Sequence, residues 1–434
     1  MKLRRTAARL VMIAAVSVSA PAAADEELPP GTFRIPGTTT RLTLSGFARL
    51  DVTYDFKSRN PFVTGEDFGT TTSRLPLNSS AEGQKTGQLY MTARTSRLGI
   101  STMTDTGWAE IGSRIEADFW SGNLLSSQTF TNSVLFRLRH AYGTLSGRYG
   151  TLLVGQTWTT FLDLVAFPDT VDWIGPGSTA AIRQPMIRYV IPLPARSSLA
   201  LAIENAPGTD QNGITDGPGT KQPFTRKVQR IPDVIGRFSM AGDWGTASVG
   251  AVATQYRDAG APNADSYSKY GWGVSAAAAL KIFDDTFRTT VAGGRGIGRY
   301  IVAAGTTGQG ATNTGDSFVL WNAFAYHVNY THVWNPQLRS NVIWSQTLMA
   351  NNGASTAAAP YEPTVDPATG TLIDPFVNQR IEELFLNTFL TLTKQVEFGL
   401  EYAFSQRHTF GSVTAPSRIG TMHRITTTAL FSLF

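Results

Sequence analysis

The chain contains no cysteine. That absence excludes disulfide frameworks, Cys-ligated zinc, iron–sulfur clusters and thiol nucleophiles. Histidine is almost as scarce. Five residues, His140, His327, His332, His408 and His423, are all that 434 positions offer, so imidazole chemistry has few starting points. Charged residues are 16%, below the usual level of about a quarter. No apolar run is long enough to span a bilayer as a helix. Yet 42% of the residues are hydrophobic and 11% aromatic, too many for a disordered chain. One class accommodates all of this. A membrane β-barrel dilutes its apolar residues by alternation, so its mean hydropathy resembles that of a soluble protein.

Residues 1–24 read as a secretory signal peptide. Lys2, Arg4, Arg5 and Arg9 form a basic start, residues 10–20 a short apolar core, and Ala22-Ala23-Ala24 a small-residue cleavage site before Asp25. Cleavage there removes four basic and no acidic residues from totals of 37 and 32, leaving the two nearly balanced. A nucleic-acid partner is not expected, because its electrostatic footprint is missing. Residues 25–40, with Pro29, Pro30 and Pro36, read as an extended periplasmic segment, and residues 41–434 as the barrel.

Beyond residue 40, ten-residue segments of alternating polarity are joined alternately by short turns and long polar loops. Short joins are expected at 104–107, 146–149, 193–195, 241–244, 284–285, 335–337 and 394–395. Long ones fall near 57–86, 121–132, 159–182, 206–226, 258–267, 300–316, 351–378 and 409–420. Together they predict an all-β fold: an antiparallel transmembrane barrel of about sixteen strands. Its turns would be periplasmic and its long loops extracellular, in a bacterial outer membrane.

The polarity of the strands says which face is wet. Leu42, Leu44, Leu50, Val52, Tyr54 and Phe56 share one side, and Arg49, Asp51, Thr53 and Asp55 the other. Ile111, Ile115, Ala117 and Phe119 oppose Glu110, Arg114, Glu116 and Asp118. Phe136, Leu138 and Tyr142 oppose Arg137 and Arg139. Val396, Phe398, Leu400, Tyr402 and Phe404 oppose Glu397, Glu401, Ser405 and Arg407. An arginine facing lipid at midplane costs about 2–4 kcal/mol, so the charges are expected to face inward, into water. On this parity His140 points outward, where a subunit interface would accommodate it. Tyr54, Phe56, Trp108, Phe119, Trp120, Trp244, Phe283, Trp334 and Phe434 fall at expected strand ends, where aromatic girdles belong. The terminal Phe434 resembles the signal that outer-membrane proteins present to their assembly machinery, although Ser432 departs from its usual pattern.

Several stretches together resemble the DcaP-like family of trimeric outer-membrane porins. They are Ala93-Arg94-Thr95-Ser96-Arg97-Leu98-Gly99, Ile115-Glu116-Ala117-Asp118-Phe119, and Phe136-Arg137-Leu138-Arg139-His140-Ala141-Tyr142-Gly143. Leu153-Val154-Gly155-Gln156-Thr157-Trp158-Thr159-Thr160-Phe161 and Arg183-Gln184-Pro185-Met186-Ile187-Arg188-Tyr189 complete the set. The resemblance covers about residues 31–205. It implies a homotrimer of sixteen-stranded barrels in outer-membrane lipid, passing small anionic solutes that include dicarboxylates, without a cofactor.

The long join after Trp158 is the expected constriction loop, folded inward, with Phe161, Asp163, Asp169, Asp172 and Trp173. Facing it are the expected pore-lining residues Arg49, Asp51, Arg114, Glu116, Arg137, Arg139, Arg183 and Arg188. Arg94 and Arg97 join them, although their parities differ, which requires a bulge or a rim position. Arginine supplies 29 of the 37 basic residues, and a guanidinium binds carboxylates bidentately. The same arginines could instead pair with Asp51, Glu110, Glu116, Asp118 and Glu204 to hold the wall. A general or cation-preferring porin therefore stays open, as does a barrel-based enzyme or adhesin. No Ser/His/acid set can be assembled, and His327 and His332 fall on opposite strand faces, unsuited to one metal. Gly294-Arg295-Gly296-Ile297-Gly298 lies inside an expected strand rather than at the strand–turn–helix of a nucleotide site.

Overall fold

The computed structural model describes residues 28–57, 72–80, 83–120, 135–180, 182–205, 214–216, 228–259, 266–305, 307–313, 317–350, 364–365, 372–373, 378–410 and 418–434. The expected signal peptide, residues 1–24, lies outside these.

Alternating side chains produce sixteen wall strands. The first eight are β1 (Thr40–Lys57), β2 (Gln88–Thr92 and Arg97–Asp105), β3 (Glu110–Asp118), β4 (Arg137–Gly147), β5 (Gly150–Trp158), β6 (Arg183–Leu193), β7 (Ser197–Glu204) and β8 (Asp233–Gly242). The second eight are β9 (Gly245–Asp258), β10 (Tyr267–Ile282), β11 (Asp285–Arg295), β12 (Asn322–Asn335), β13 (Leu338–Ala350), β14 (Asn378–Thr391), β15 (Val396–Thr409) and β16 (Ile419–Ser432). Each pairs antiparallel with the next, and β16 pairs back with β1, Phe47 opposite Ser432 and Tyr54 opposite Ile425. The sheet thus closes and leaves no edge in the wall, as lipid demands of backbone polar groups. A three-residue strand, Thr32–Arg34, lies beside the start of β1, within the segment expected to be extended.

Each of the seven short joins falls within about two residues of its expected place. Chain reversal in so few residues uses side-chain acceptors and left-handed backbone. Asn335 Oδ1 accepts from the N–H groups of Gln337 and Leu338 at 2.9 and 3.0 Å. Phe283 adopts φ +56° and projects fully exposed beyond its turn. Trp108, Tyr149, Trp244, Trp334 and Phe434 are also exposed at this end, forming an aromatic belt.

Burial follows the period of two. Leu50, Tyr54 and Phe56 are exposed, while Asp51, Thr53 and Asp55 between them are buried. Phe398 and Leu400 are exposed, and Glu397, Glu401 and Arg407 are buried. Some details differ from the sequence reading. In β4, Asp118 faces Arg137 and Ala117 faces Leu138, but Glu116 faces His140, so Arg139 is an extra residue. This bulge reverses the parity after it. His140 is therefore turned inward, 7% exposed, with Nδ1 3.0 Å from Thr157 Oγ1. Tyr142, paired with Arg114, follows it inward. Not every charge points inward, either. Arg380 and Glu382 have the outward parity of the exposed Leu386 and Leu390. Arg380 and Glu382 lie 3.5 Å apart, Gln346 donates to Glu382 at 2.9 Å, and Arg380 Nη2 lies 3.1 Å from His408 Nε2.

β11 ends at Arg295, so the glycine-rich segment is not all strand. Gly296 has φ +74°. A Cβ on Gly298 would stand 2.1 Å from the Gln309 carbonyl oxygen, a close approach that only glycine permits. Two short helical turns follow, Gly298–Tyr300 and Val302–Gly305.

Candidate functional site

The segment between β5 and β6 runs through the barrel interior, and each stage of its course is bonded to the wall. At its root, the Thr160 N–H donates to Glu204 at 2.6 Å, and Arg188 donates to Thr160 Oγ1 at 2.7 Å and the Trp158 carbonyl at 2.5 Å. Phe161 and Leu162 enter a buried apolar cluster with Ile235, Ile297, Tyr300 and Trp321. Arg237 of β8 donates to the Leu162 carbonyl, and Ser275 of β10 to that of Phe161 at 3.0 Å. Asp163 caps the turn Leu164–Ala166 by accepting from the Val165 N–H at 3.2 Å. His327 of β12 lies 3.0 Å from the Ala166 carbonyl.

The middle of the loop binds carboxylates and arginines of the far wall. Asp169 accepts from Arg339 at 2.6 and 3.1 Å, and its N–H donates to Asn329. Glu401 of β15 accepts from the N–H groups of Val171 and Asp172 at 2.9 and 3.0 Å. Glu383 of β14 accepts from that of Gly177 at 2.7 Å. Asp172 turns back on its own loop, its Oδ1 accepting from Ile174 and Gly175 at 3.1 Å each. Two strands further round the wall from Glu401, Arg49 of β1 donates to the Val171 carbonyl at 2.5 Å. Trp173 packs on Trp120, ring centroids 4.7 Å apart, and Arg137 lies 5.0 Å over the Trp173 ring.

The wall that the loop leaves open is cationic. Glu116 accepts from Arg114 at 2.5 Å and Arg139 at 2.8 Å, with Arg97 3.5 Å away. Asp118 accepts from Arg137 at 2.9 and 2.7 Å and from Arg139 at 2.9 Å. Asp51 accepts from Arg49 at 2.8 Å. Arg183 stacks 4.6 Å over Trp158, has a buried Nη1 with no hydrogen-bond partner, and meets no carboxylate among the described residues. Buried guanidinium N–H groups without acceptors are costly in a dry site and well served by a passing anion. The interruption of β2 at 93–96, where the Ser96 N–H bonds the Ala93 carbonyl at 3.0 Å, explains the parity of Arg94 and Arg97. Arg97 faces in, and the Arg94 carbonyl accepts from the Phe119 N–H at 3.1 Å.

Other residues hold different places from those expected. Phe161 lies in the apolar cluster at the loop root rather than along the passage. Glu204 accepts from Gln184 and Thr160, not from an arginine. Trp120 belongs to the interior pair with Trp173, not to the lipid belt. Glu110 meets Arg41 at 3.8 Å near the short-turn end. His327 is buried inside, whereas His332 pairs with Asp285 at 2.9 Å near a short turn. Among the described residues no three His, Asp or Glu side chains lie together as a metal site. The inward course of the segment after β11 had no counterpart in the sequence reading. Its signal was there, in the apolar Ile297, Tyr300, Ile301 and Trp321 of an otherwise polar join.

The model of the DcaP outer membrane protein family matches residues 31–236. The fold is shared with the DcaP outer membrane channel of Acinetobacter baumannii, at 22% identity and a TM-score of 0.71, covering 92% of this chain and 99% of that one. An anion-selective porin of Comamonas acidovorans superposes at a TM-score of 0.54 and 12% identity, over 91% of this chain and all of that one. OmpF of Salmonella typhi, solved with daunomycin, gives 0.55 and 10%, over 92% and 99%. No curated protein matches the sequence. Residues 31–236 match the DcaP outer membrane protein family, and the closed sixteen-stranded wall, narrowed by the loop after β5, has the fold of bacterial outer-membrane porins.

Proposed function

We propose that the channel prefers anions and that small organic carboxylates are its solutes. The observation that carries this reading is the different fate of the two sets of charges around the passage. Asp163, Asp169 and Asp172 of the loop are engaged by backbone N–H groups or by Arg339. Arg49 and Arg188 are bonded to the loop itself, and the rest of the wall sets Arg97, Arg114, Arg137, Arg139 and Arg183 against two carboxylates, Glu116 and Asp118. At about 5 Å and an effective dielectric near 20, one Arg–carboxylate contact is worth roughly 3 kcal/mol before desolvation. A row of such contacts enriches anions without trapping them. Passage is passive diffusion, and nothing in this reading requires catalysis or a cofactor.

The anion-selective porin of Comamonas acidovorans shares the architecture, and the family resemblance supports a homotrimer, with Phe434 presented to the assembly machinery. The test is the zero-current potential of the purified protein in a planar bilayer under a salt gradient. A potential of the sign set by chloride supports the reading, and block of chloride current by a dicarboxylate extends it to solutes. The opposite sign returns the channel to the cation-preferring alternative. No conductance at all revives a barrel-borne enzyme or adhesin.

A further inference from the structure

The constriction loop does not hold its course by itself. Between β11 and β12, the described residues 296–305, 307–313 and 317–321 fold into the same lumen, and the first of these stretches bonds to the constriction loop along the backbone. The Val302 N–H donates to the Thr179 carbonyl at 3.0 Å, and that of Ala303 to the Gly177 carbonyl at 2.9 Å. The rings of Tyr300 and Phe161 pack with centroids 5.4 Å apart. Beneath this contact lies a buried polar chain. Arg299 pairs with Asp233 of β8 and donates to Thr254 of β9 at 2.8 Å. The Tyr300 hydroxyl also donates to Asp233, and Gln184 Nε2 reaches that hydroxyl at 3.4 Å and Glu204 at 2.6 Å. Glu204 in turn holds the Thr160 N–H. Asp233, Glu204, Gln184 and Tyr300 are fully buried. Burial pushes the Tyr300 phenol up to about 12, which keeps its proton available for Asp233.

We infer that the 296–321 segment is the buttress of the constriction loop, and that Arg299 and Tyr300 are positioning residues for selectivity although neither lines the arginine wall. Three facts carry this. The two segments share main-chain bonds, which tie backbone to backbone. They share one apolar cluster, so neither buries its face without the other. Their polar chain ends on both, at Arg299 and at Thr160. A buried ion pair is worth little net over an apolar pair, but losing one partner is severe. Its use here is to fix one arrangement of two long loops that propensity alone leaves free. The inference rests on the channel reading, not on the sign of the selectivity.

Two experiments test it. The first uses the chain's lack of cysteine: Gly177→Cys with Ala303→Cys places two thiols at a main-chain bonded position, within the reach of a disulfide. The expected result is quantitative cross-linking on mild oxidation, with open-channel current unchanged. Absence of the cross-link overturns the joined loops. The second records single channels of Arg299→Met, Tyr300→Phe and Arg299→Lys. Arg299→Met should give larger, noisier current and a zero-current potential shifted toward zero. Tyr300→Phe should do so less, and Arg299→Lys should restore part of the wild-type trace. Heat-modifiable mobility on gels confirms the barrel in each. A folded Arg299→Met channel with wild-type current, noise and selectivity overturns the role of the ion pair. Should Arg299→Met not fold, Tyr300→Phe decides, since it keeps the ring and loses only the hydroxyl. A steady wild-type channel of cationic selectivity would defeat the carboxylate reading and leave the buttress standing.

Discussion

Trp173 and Trp120 meet inside the barrel with ring centroids 4.7 Å apart, and the Arg137 guanidinium lies over the outer face of the pair. One ring belongs to the constriction loop and the other to the end of β3. The contact therefore ties the free edge of the loop to the arginine wall it faces.

Trp173→Ala should loosen this edge. An aromatic pair is worth about 0.5–1.5 kcal/mol beyond its burial, too little to unfold the barrel and enough to let the edge move. The expected outcome is a larger single-channel conductance with a smaller zero-current potential, measured in planar bilayers. Unchanged conductance would mean that the narrowest point lies elsewhere.

Two arginines of the same wall should behave oppositely. Arg139 bridges Glu116 and Asp118 and is 4% exposed. Arg139→Ala removes the bridge between two buried carboxylates, but Glu116 keeps Arg114 and Asp118 keeps Arg137, so the loss should stay below the roughly 3–5 kcal/mol of an unpaired buried charge. Its urea midpoint in micelles should fall clearly. Arg183 meets no carboxylate among the described residues, so Arg183→Ala should leave that midpoint nearly unchanged while lowering anion selectivity. If both variants lose stability alike, Arg183 is a wall residue.

Glu401 holds two loop N–H groups and accepts from Asn387 at 2.9 Å. Glu401→Ala strands both donors, at about 1–3 kcal/mol each when buried. The expected result is a noisier single-channel current with larger conductance, the heat-modifiable gel mobility of the barrel being unchanged. A wild-type current trace would show that the remaining anchors suffice.

Selectivity that arises from arginines along a wet passage should fade with salt. The Debye length shortens from about 10 Å at 0.1 M to about 3 Å at 1 M. At a constant concentration ratio the zero-current potential should therefore shrink as both solutions are concentrated. A potential independent of salt would point to discrimination by size.

The wall was legible in the sequence because a period of two is a local property. Leu50, Tyr54 and Phe56 against Asp51, Thr53 and Asp55 needs no knowledge of neighbours, and turns reveal themselves by residues such as Asn335. What escaped depends on pairing between strands or on the interior. The bulge at Arg139 exists only in relation to β3, so the inward turn of His140 could not be read from β4 alone. The break at 93–96 was half visible, as two arginines of opposite parity. A tryptophan at a strand end looks the same from either side, so Trp120 reads as a belt residue until its partner Trp173 is in place. Glu382 faces outward against the rule of charge inside because Gln346 and Arg380, on a neighbouring strand and its own, satisfy it. The 296–321 segment hid because loops have no periodicity, and its apolar residues were the overlooked signal.

Asp55 of the first wall strand and Arg424 of the last form a doubly bonded pair at 2.6 and 3.1 Å, buried at 1% exposure each and 369 residues apart. Contacts between residues so distant in sequence form late, because chain entropy is spent before they return anything. Until the final strand arrives, β1 presents an open hydrogen-bonding edge, the template on which chains pair wrongly with one another. Closing the cylinder therefore means joining its first strand to its last, and β1 and β16 each carry an adhesive rim until they meet.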